Sequence, residues 1–375
     1  MLGKLGDINN FERKIFYAAL IFLPSALPVS GILMLILIIF YFSKKNFLGR
    51  KNPIDSLILS TIILMVISCI YSSINIYNFD FPNILENSKN LNIWLDLLNW
   101  FPMFLIYWVS KKFLIVPEDR IRFAKFIFIG TIPVIISCIL QYWFKIYGPF
   151  EFLFKSIVWF QKPISNDLGV SGLFSNQNYT GAWLSTILPF SIILVLKNKH
   201  NFYRKTLAFI IATLQSYFII LTNSRNALIG LFISLVFIFG LRGIFAIFVG
   251  FSFLLFSALI YSSLLNPLFL NDIFDKVLSN QLIIKITNFD FSNFIIFPRI
   301  EIFHITKDLI LESPVWGYGS GTFPSFYLIS GGIWDAQHTH NLPLQLAYNY
   351  GIPVATIISL IFIFLLIKSF KKIFI

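Results

Sequence analysis

Apolar runs long enough to cross a bilayer recur from one end of this chain to the other, separated by short polar stretches. A helix needs about 20 apolar residues to span the hydrocarbon core. On that basis the pattern predicts ten spans, at roughly 15–27, 29–43, 54–76, 93–110, 126–145, 179–196, 206–222, 227–241, 244–264 and 342–367. The expected fold is an all-α polytopic membrane protein, a single membrane domain over 1–375. A partly helical cap at 265–341 lies between its last two spans. Pro24 and Pro28 interrupt the first apolar run. Basic residues at both ends of that run favour two short spans over one long tilted helix. The start, Met1 to Arg13, is polar, and no small-residue cleavage pattern follows the first span, so that span is expected to stay in the mature protein. No internal repeat is visible.

Composition sharpens this picture. The chain is 57% hydrophobic and only 12% charged, against about 25% charged in soluble proteins. A net charge of +12 would point to nucleic acid in a soluble chain. Here the charges alternate with the spans, and 20 of the 29 Lys and Arg fall on the face that carries both termini. Cytoplasmic loops hold such an excess, so both termini are expected in the cytoplasm. The charge then reads as topology and attraction to anionic lipid, with no nucleic-acid partner. Cys69 and Cys138 fall inside spans and read as small apolar packers, with no disulfide or thiolate metal site implied.

Polar chemistry gathers on the opposite face. Two of the four histidines, His338 and His340, sit in Gln337-His338-Thr339-His340-Asn341, where the long loop returns to an apolar stretch. Each imidazole is equally readable as a candidate base or as an interfacial or solvent-facing loop residue. Arg225, in Thr222-Asn223-Ser224-Arg225-Asn226, lies between two apolar helices; it either grips a phosphate group or snorkels to headgroups. Pro298 to Glu312 predicts an amphipathic helix with apolar residues at 302, 303, 305, 309 and 310, led by Arg299. After it, Gly317-Tyr318-Gly319-Ser320-Gly321 is a flexible turn whose amides could face an anion or simply let the chain fold back. No βαβ context supports a dinucleotide site. Ser171 to Thr180 carries amides and hydroxyls suited to sugar, or to capping of the sixth span with Asn178 satisfying free amides. Asp96 stands alone near a helix start, and no metal-ligand set accompanies the His-X-His pair.

In this order along the chain, Gly172 to Asn178, Ser224-Arg225, Arg299 with Pro314 to Gly321, and His338 to Gly351 resemble the O-antigen ligase and polymerase family of bacterial inner membranes over about 165–360. The resemblance implies glycosyl transfer on the periplasmic side without metal or other cofactor. It implies a polyprenyl (undecaprenyl) diphosphate-linked glycan as donor and lipid A–core, another glycan repeat or a protein as acceptor. Arg225 and Arg299 match arginines that hold the donor diphosphate, and His340, or His338 two positions earlier, matches the histidine that activates the acceptor hydroxyl. Asn178, Asn341 and Gly319 are the further candidates for contact with sugar or acceptor. Members of the family usually carry one more hairpin than the ten spans read here. The rivals are a transporter of inorganic carbon or another solute, against which stands the lack of an intramembrane carboxylate pair, and a non-catalytic partner in polysaccharide assembly.

Overall fold

A computed structural model of the chain describes residues 10–43, 53–75, 92–165, 168–197, 201–265 and 298–374. Residues 266–297, the first part of the expected cap, and nearly all of the loop expected at 77–92 lie outside the described residues. The fold is almost entirely helical. Six described helices are long and apolar enough to cross a membrane: Pro53–Asn75, Asn92–Phe113, Pro117–Tyr142, Gln177–Leu196, Phe202–Leu221 and Ile352–Lys371. Leu27–Tyr41 and Arg225–Val236 are shorter apolar helices. Chain contacts form two compact units, Met1–Tyr41 with Val109–Phe289 and Phe42–Trp108 with Asp290–Ile375.

The first unit begins with α1 (Asn10–Phe22) and α2 (Leu27–Ser43). They are two helices, because the Ser30 hydroxyl donates to the Ala19 carbonyl at 2.8 Å, whereas a continuous helix would hold residues that far apart by about 16 Å of rise. With 13 residues, α1 spans only about 20 Å, short of the bilayer core. Helix α5 (Pro117–Tyr142) starts well before the expected 126. Pro117 takes a first-turn position and Glu118 and Asp119 complement the dipole there, so the helix extends through a charged stretch that hydropathy excludes. Then come a small antiparallel hairpin, β1 (Phe150–Phe152) and β2 (Ile157–Trp159), and three helices, α6 (Gln177–Lys197), α7 (Phe202–Leu221) and α8 (Arg225–Leu265). The spans expected at 227–241 and 244–264 appear as α8, broken at Gly240 (φ 68°, ψ 171°), a region open only to glycine.

At one end of this unit three connections meet. The Trp159 indole donates to the Ser25 carbonyl at 2.7 Å, tying the hairpin to the turn between α1 and α2. Val170 N–H donates to the Leu221 carbonyl at 2.9 Å. This end therefore carries the three connections, 23–26, 143–176 and 222–224, that the charge pattern assigns to one membrane face.

The second unit holds α3 (Pro53–Asn75), most of α4 (Leu97–Phe113), α9 (Pro298–Glu312), α10 (Phe323–Ile329), α11 (Leu342–Tyr350) and α12 (Ile352–Phe374). Its core gathers Met65 and Cys69 from α3 with Ile302, Leu309, Phe323, Tyr327, Leu346, Tyr348 and Val354. The buried face of α9 is Ile302, Thr306, Leu309 and Ile310, while Phe303 is exposed. Thr306 joins the core because its hydroxyl donates to the Ile302 carbonyl at 2.5 Å within the helix, so it needs no other partner. The span expected at 342–367 is corrected: α11 is a separate nine-residue helix, and the apolar span starts at Ile352 after a break at Gly351 (φ 88°, ψ 164°). The polar loop and α11 thus form one element in front of the last span.

Candidate active site

In the second unit the loop ahead of α11 is built around carboxylates and amides. Asn341, an expected sugar contact, is the N-cap of α11, its Oδ1 accepting from Leu344 N–H at 3.2 Å. Pro343 follows in the first turn, as this geometry favours. Just before the cap, His340 adopts φ +54°, a left-handed conformation that costs a non-glycine residue about 1–2 kcal/mol. Two bonds hold it there. Thr339 N–H donates to Gln345 Oε1 at 2.8 Å, and Thr339 Oγ1 donates to the Asn341 carbonyl at 2.9 Å.

The His338 and His340 rings pack at a centroid distance of 4.2 Å, tilted by 50°. Partial burial first, then the charges of His338 and Arg299, pull the His340 pKa below its ordinary 6.5. Arg299, exposed near the start of α9, is therefore an electrostatic neighbour of this imidazole pair. The structure brings these three expected residues together. What holds α9 to the loop is a residue the sequence left without a role. Glu301 accepts from Tyr327 Oη (2.7 Å), Ile333 N–H (2.9 Å) and the Trp334 indole (2.9 Å). Desolvation alone would raise its carboxyl, but these three donors outweigh it and hold it below the usual range.

The glycine turn is enclosed. Gly319 N–H donates to the Asn349 carbonyl at 3.1 Å and Tyr318 N–H to the Tyr348 carbonyl at 2.8 Å. A Cβ on Gly319 would stand 3.0 Å from Ile93 and Ser72. The Gly319 amide thus serves the fold-back of the chain onto the end of α11. From α3, Ser68 donates to the Trp316 carbonyl at 2.5 Å.

Asp96, read from sequence as solitary, is a hub. Its Oδ2 accepts from Tyr350 Oη at 2.6 Å and Asn349 Nδ2 at 3.3 Å, and its Oδ1 accepts from Asn99 Nδ2 at 2.8 Å. Sequence reasoning missed it because each of these partners except Asn99 lies some 250 positions away.

Arg225 and Asn178 belong to the first unit. Arg225 is the exposed first residue of α8. The turn before it is tight: Thr222 Oγ1 donates to the Ile219 carbonyl (2.7 Å) and accepts from Ser224 N–H (3.3 Å), with Asn223 left-handed at φ +55°. Gly169 permits the loop to pass, since a Cβ there would lie 2.5 Å from the Leu221 and Thr222 backbone. Gly181 does the same for α6, where a Cβ would lie 2.5 Å from Ala227. The starts of α6 and α8 therefore touch. The cap of α6 is corrected by two positions: Asn176 Oδ1 accepts from Asn178 N–H at 2.8 Å, and Asn178 itself is exposed. The polar run before it is largely consumed by Gln141, which is fully buried in α5. Gln141 Oε1 accepts from Ser171 N–H (3.1 Å) and Gly172 N–H (2.9 Å), and its Nε2 donates to the Lys162 carbonyl (2.5 Å).

Among the described residues no group of three or more His, Cys, Asp or Glu could hold a metal ion. Compared with known families, residues 207–359 match a family model described as O-antigen ligase. No curated protein matches the chain.

Proposed function

We propose, from the match of residues 207–359 to a family model described as O-antigen ligase, that the chain transfers a glycan from a polyprenyl diphosphate to an acceptor hydroxyl in surface-polysaccharide assembly. It does so at the periplasmic face of the bacterial inner membrane. His340 takes the proton of the attacking hydroxyl as its oxygen bonds to the anomeric carbon. The bond from that carbon to the diphosphate oxygen breaks, and the leaving group departs with its negative charge. Arg225 and Arg299 stabilise that charge, which guanidinium groups do by paired hydrogen bonds to phosphate oxygens. His338 is the alternative base, and Asn178 and Asn341 line the path of sugar or acceptor, whereas Gly319, enclosed against Ile93 and Ser72, is withdrawn from that role.

The observation that carries this reading is the packing of the His338 and His340 rings at 4.2 Å in the loop ahead of α11, where burial and then the charges of His338 and Arg299 lower the His340 pKa. A base must be neutral to act, and a lowered pKa keeps the imidazole neutral at near-neutral pH. Burial lowers that pKa most and His338 next; the Arg299 charge, the smallest of the three causes, is also one that suits a diphosphate. For Arg225 the support is local: it starts α8 where α6 also starts, and each helix N-terminus acts as about half a positive charge.

The test is deletion of the gene followed by gel separation of surface glycans, with the deletion complemented by His340→Ala, Arg225→Ala and Arg299→Ala. Loss of all long chains on the lipid core indicates a ligase, and a single repeat on the core indicates a polymerase. Each variant is expected to reach the membrane in normal amount and to abolish transfer. Normal glycans from all three would refute the reading, and solute flux into proteoliposomes without any glycan donor would favour a transporter.

A further inference from the structure

We propose that Asp96 is a positioning residue for His340, acting through a one-way chain of side-chain amides, Asp96 to Asn349 to Gln345 to the Thr339 N–H. The proposal rests on the reading of His340 as the base.

The chain is complete in the structure. Asn349 Nδ2 donates to Asp96 Oδ2 at 3.3 Å, Gln345 Nε2 donates to Asn349 Oδ1 at 2.9 Å, and Thr339 N–H donates to Gln345 Oε1 at 2.8 Å. Gln345 and Asn349 lie four residues apart on one face of α11, the spacing at which helix side chains meet. Asn349 and Thr339 are each only 4% exposed, so water is a poor substitute for either partner.

Its direction follows from chemistry. A carboxylate only accepts and a backbone N–H only donates, whereas each amide has one accepting and one donating end. With Asp96 at one end, Asn349 must turn its NH2 toward it and its carbonyl toward Gln345. Gln345 must then turn its NH2 to Asn349 and its carbonyl to Thr339. The Asp96 carboxylate thereby decides that the Thr339 N–H meets an acceptor. That bond, with the Asn341 cap, holds the next residue, His340, at its left-handed φ of +54°. Weakening it frees the backbone to relax toward a commoner conformation, which would swing the imidazole away from the attacking hydroxyl. A shift of about 1 Å in a reacting group can cost ~100-fold in rate.

The same logic supplies the test. Gln345→Glu keeps an acceptor for Thr339 but sets its second oxygen against Asn349. Asn349 must then flip and turn its carbonyl to Asp96, acceptor against acceptor. Adding Asp96→Asn lets the whole chain reverse: the new amide at position 96 donates to Asn349, which donates to the new carboxylate at position 345. Gln345→Met has no acceptor for Thr339, so Asp96→Asn has nothing to restore in it.

The assay is transfer by the purified full-length protein, using lipid-linked glycan and acceptor extracted from its own cells. Gln345→Glu is expected to lower kcat by about 10- to 100-fold with KM for the donor unchanged. The double variant Asp96→Asn/Gln345→Glu is expected to recover most of that loss, and Asp96→Asn/Gln345→Met none. Rescue of both, rescue of neither, or a wild-type rate in Gln345→Glu overturns the proposal. Should the carboxylate of Gln345→Glu prevent folding, Gln345→Met decides alone. A fall of about tenfold or more in kcat at constant donor KM supports the relay, and a normal kcat overturns it. If His340→Ala transfers normally, the reading of His340 falls; if it is dead while Gln345→Met is normal, only the relay falls.

Discussion

Gly351→Ala isolates what the break between α11 and α12 demands. Two separate costs apply at this position. The backbone, at φ 88° and ψ 164°, lies in a region that a side chain adopts only at about 1–3 kcal/mol. In addition a Cβ would stand 2.0 Å from the Val315 carbonyl oxygen and 2.4 Å from its carbon. Both are backbone atoms, and the Pro314 carbonyl beside them accepts from Ile352 N–H at 2.8 Å, so the neighbour cannot step aside without losing that bond. Overpacking of this kind adds about 1–3 kcal/mol. Gly331→Ala is the matched control, since its φ of +87° is equally left-handed but nothing lies within 4 Å of its Cβ. It should cost about 1–3 kcal/mol from backbone alone, against about 2–6 kcal/mol for Gly351→Ala. Net stabilities are only about 5–15 kcal/mol, so the difference is readable as the midpoint of thermal unfolding of the detergent-solubilised protein. Gly351→Ala should also lose transfer, because it directly follows Asn349 and Tyr350, which bond Asp96. Equal midpoints for the two variants would show that the close approach to Val315 costs nothing, and the reasoning would fail.

Other outcomes follow from the same geometry. Because the His340 pKa is lowered, its neutral form persists below the ordinary 6.5, so the acid limb of the transfer rate should lie at lower pH than for a free imidazole. Replacing His338 by Ala removes a like charge and should move that limb upward; a limb unmoved in a pH–rate profile would detach His338 from the base. Glu301→Ala removes the acceptor of three hydrogen bonds and should cost about 2 kcal/mol after allowance for solvent, read as faster hydrogen exchange at Ile333. Its carboxyl is held below its ordinary 4.5, so the part of that stabilisation that depends on the charge is complete above 4.5 and is lost as pH falls through the lowered folded value. Gly169→Ala should reduce folded protein in the membrane, since its Cβ would meet the Leu221 and Thr222 backbone at 2.5 Å; normal accumulation would refute the close packing of that loop on the turn before Arg225.

Much of the site is legible in the sequence as motif but not as geometry. The short segments Pro314 to Gly321 and His338 to Gly351 look independent along the chain. In the folded protein they are one clasp, because Tyr318 and Gly319 donate to the last carbonyls of α11 and Ile352 donates back to Pro314. Asn178 suggests itself as the cap of α6 because Asn, Gln and Asn follow one another and all suit a helix start. Only the backbone shows that Asn176 accepts and Asn178 donates. The face of α9 differs from its hydropathy at Phe303 and Thr306, since hydropathy cannot see that a threonine bonded to its own helix turn is apolar to its surroundings.

What the amino-acid order determined by itself is the helical, membrane-crossing character of the chain. In lipid every backbone N–H and C=O must be satisfied within the segment, so a long apolar run has no choice but to be helical. That consequence is local and can be read residue by residue. Tertiary structure alone decided that Asp96 meets Tyr350 and Asn349, that Glu301 holds Ile333 and Trp334, and that Arg299 lies within electrostatic reach of His340. These pairings join residues far apart in the chain, and a polar side chain carries no mark of which distant partner will satisfy it until the backbone has brought the two together.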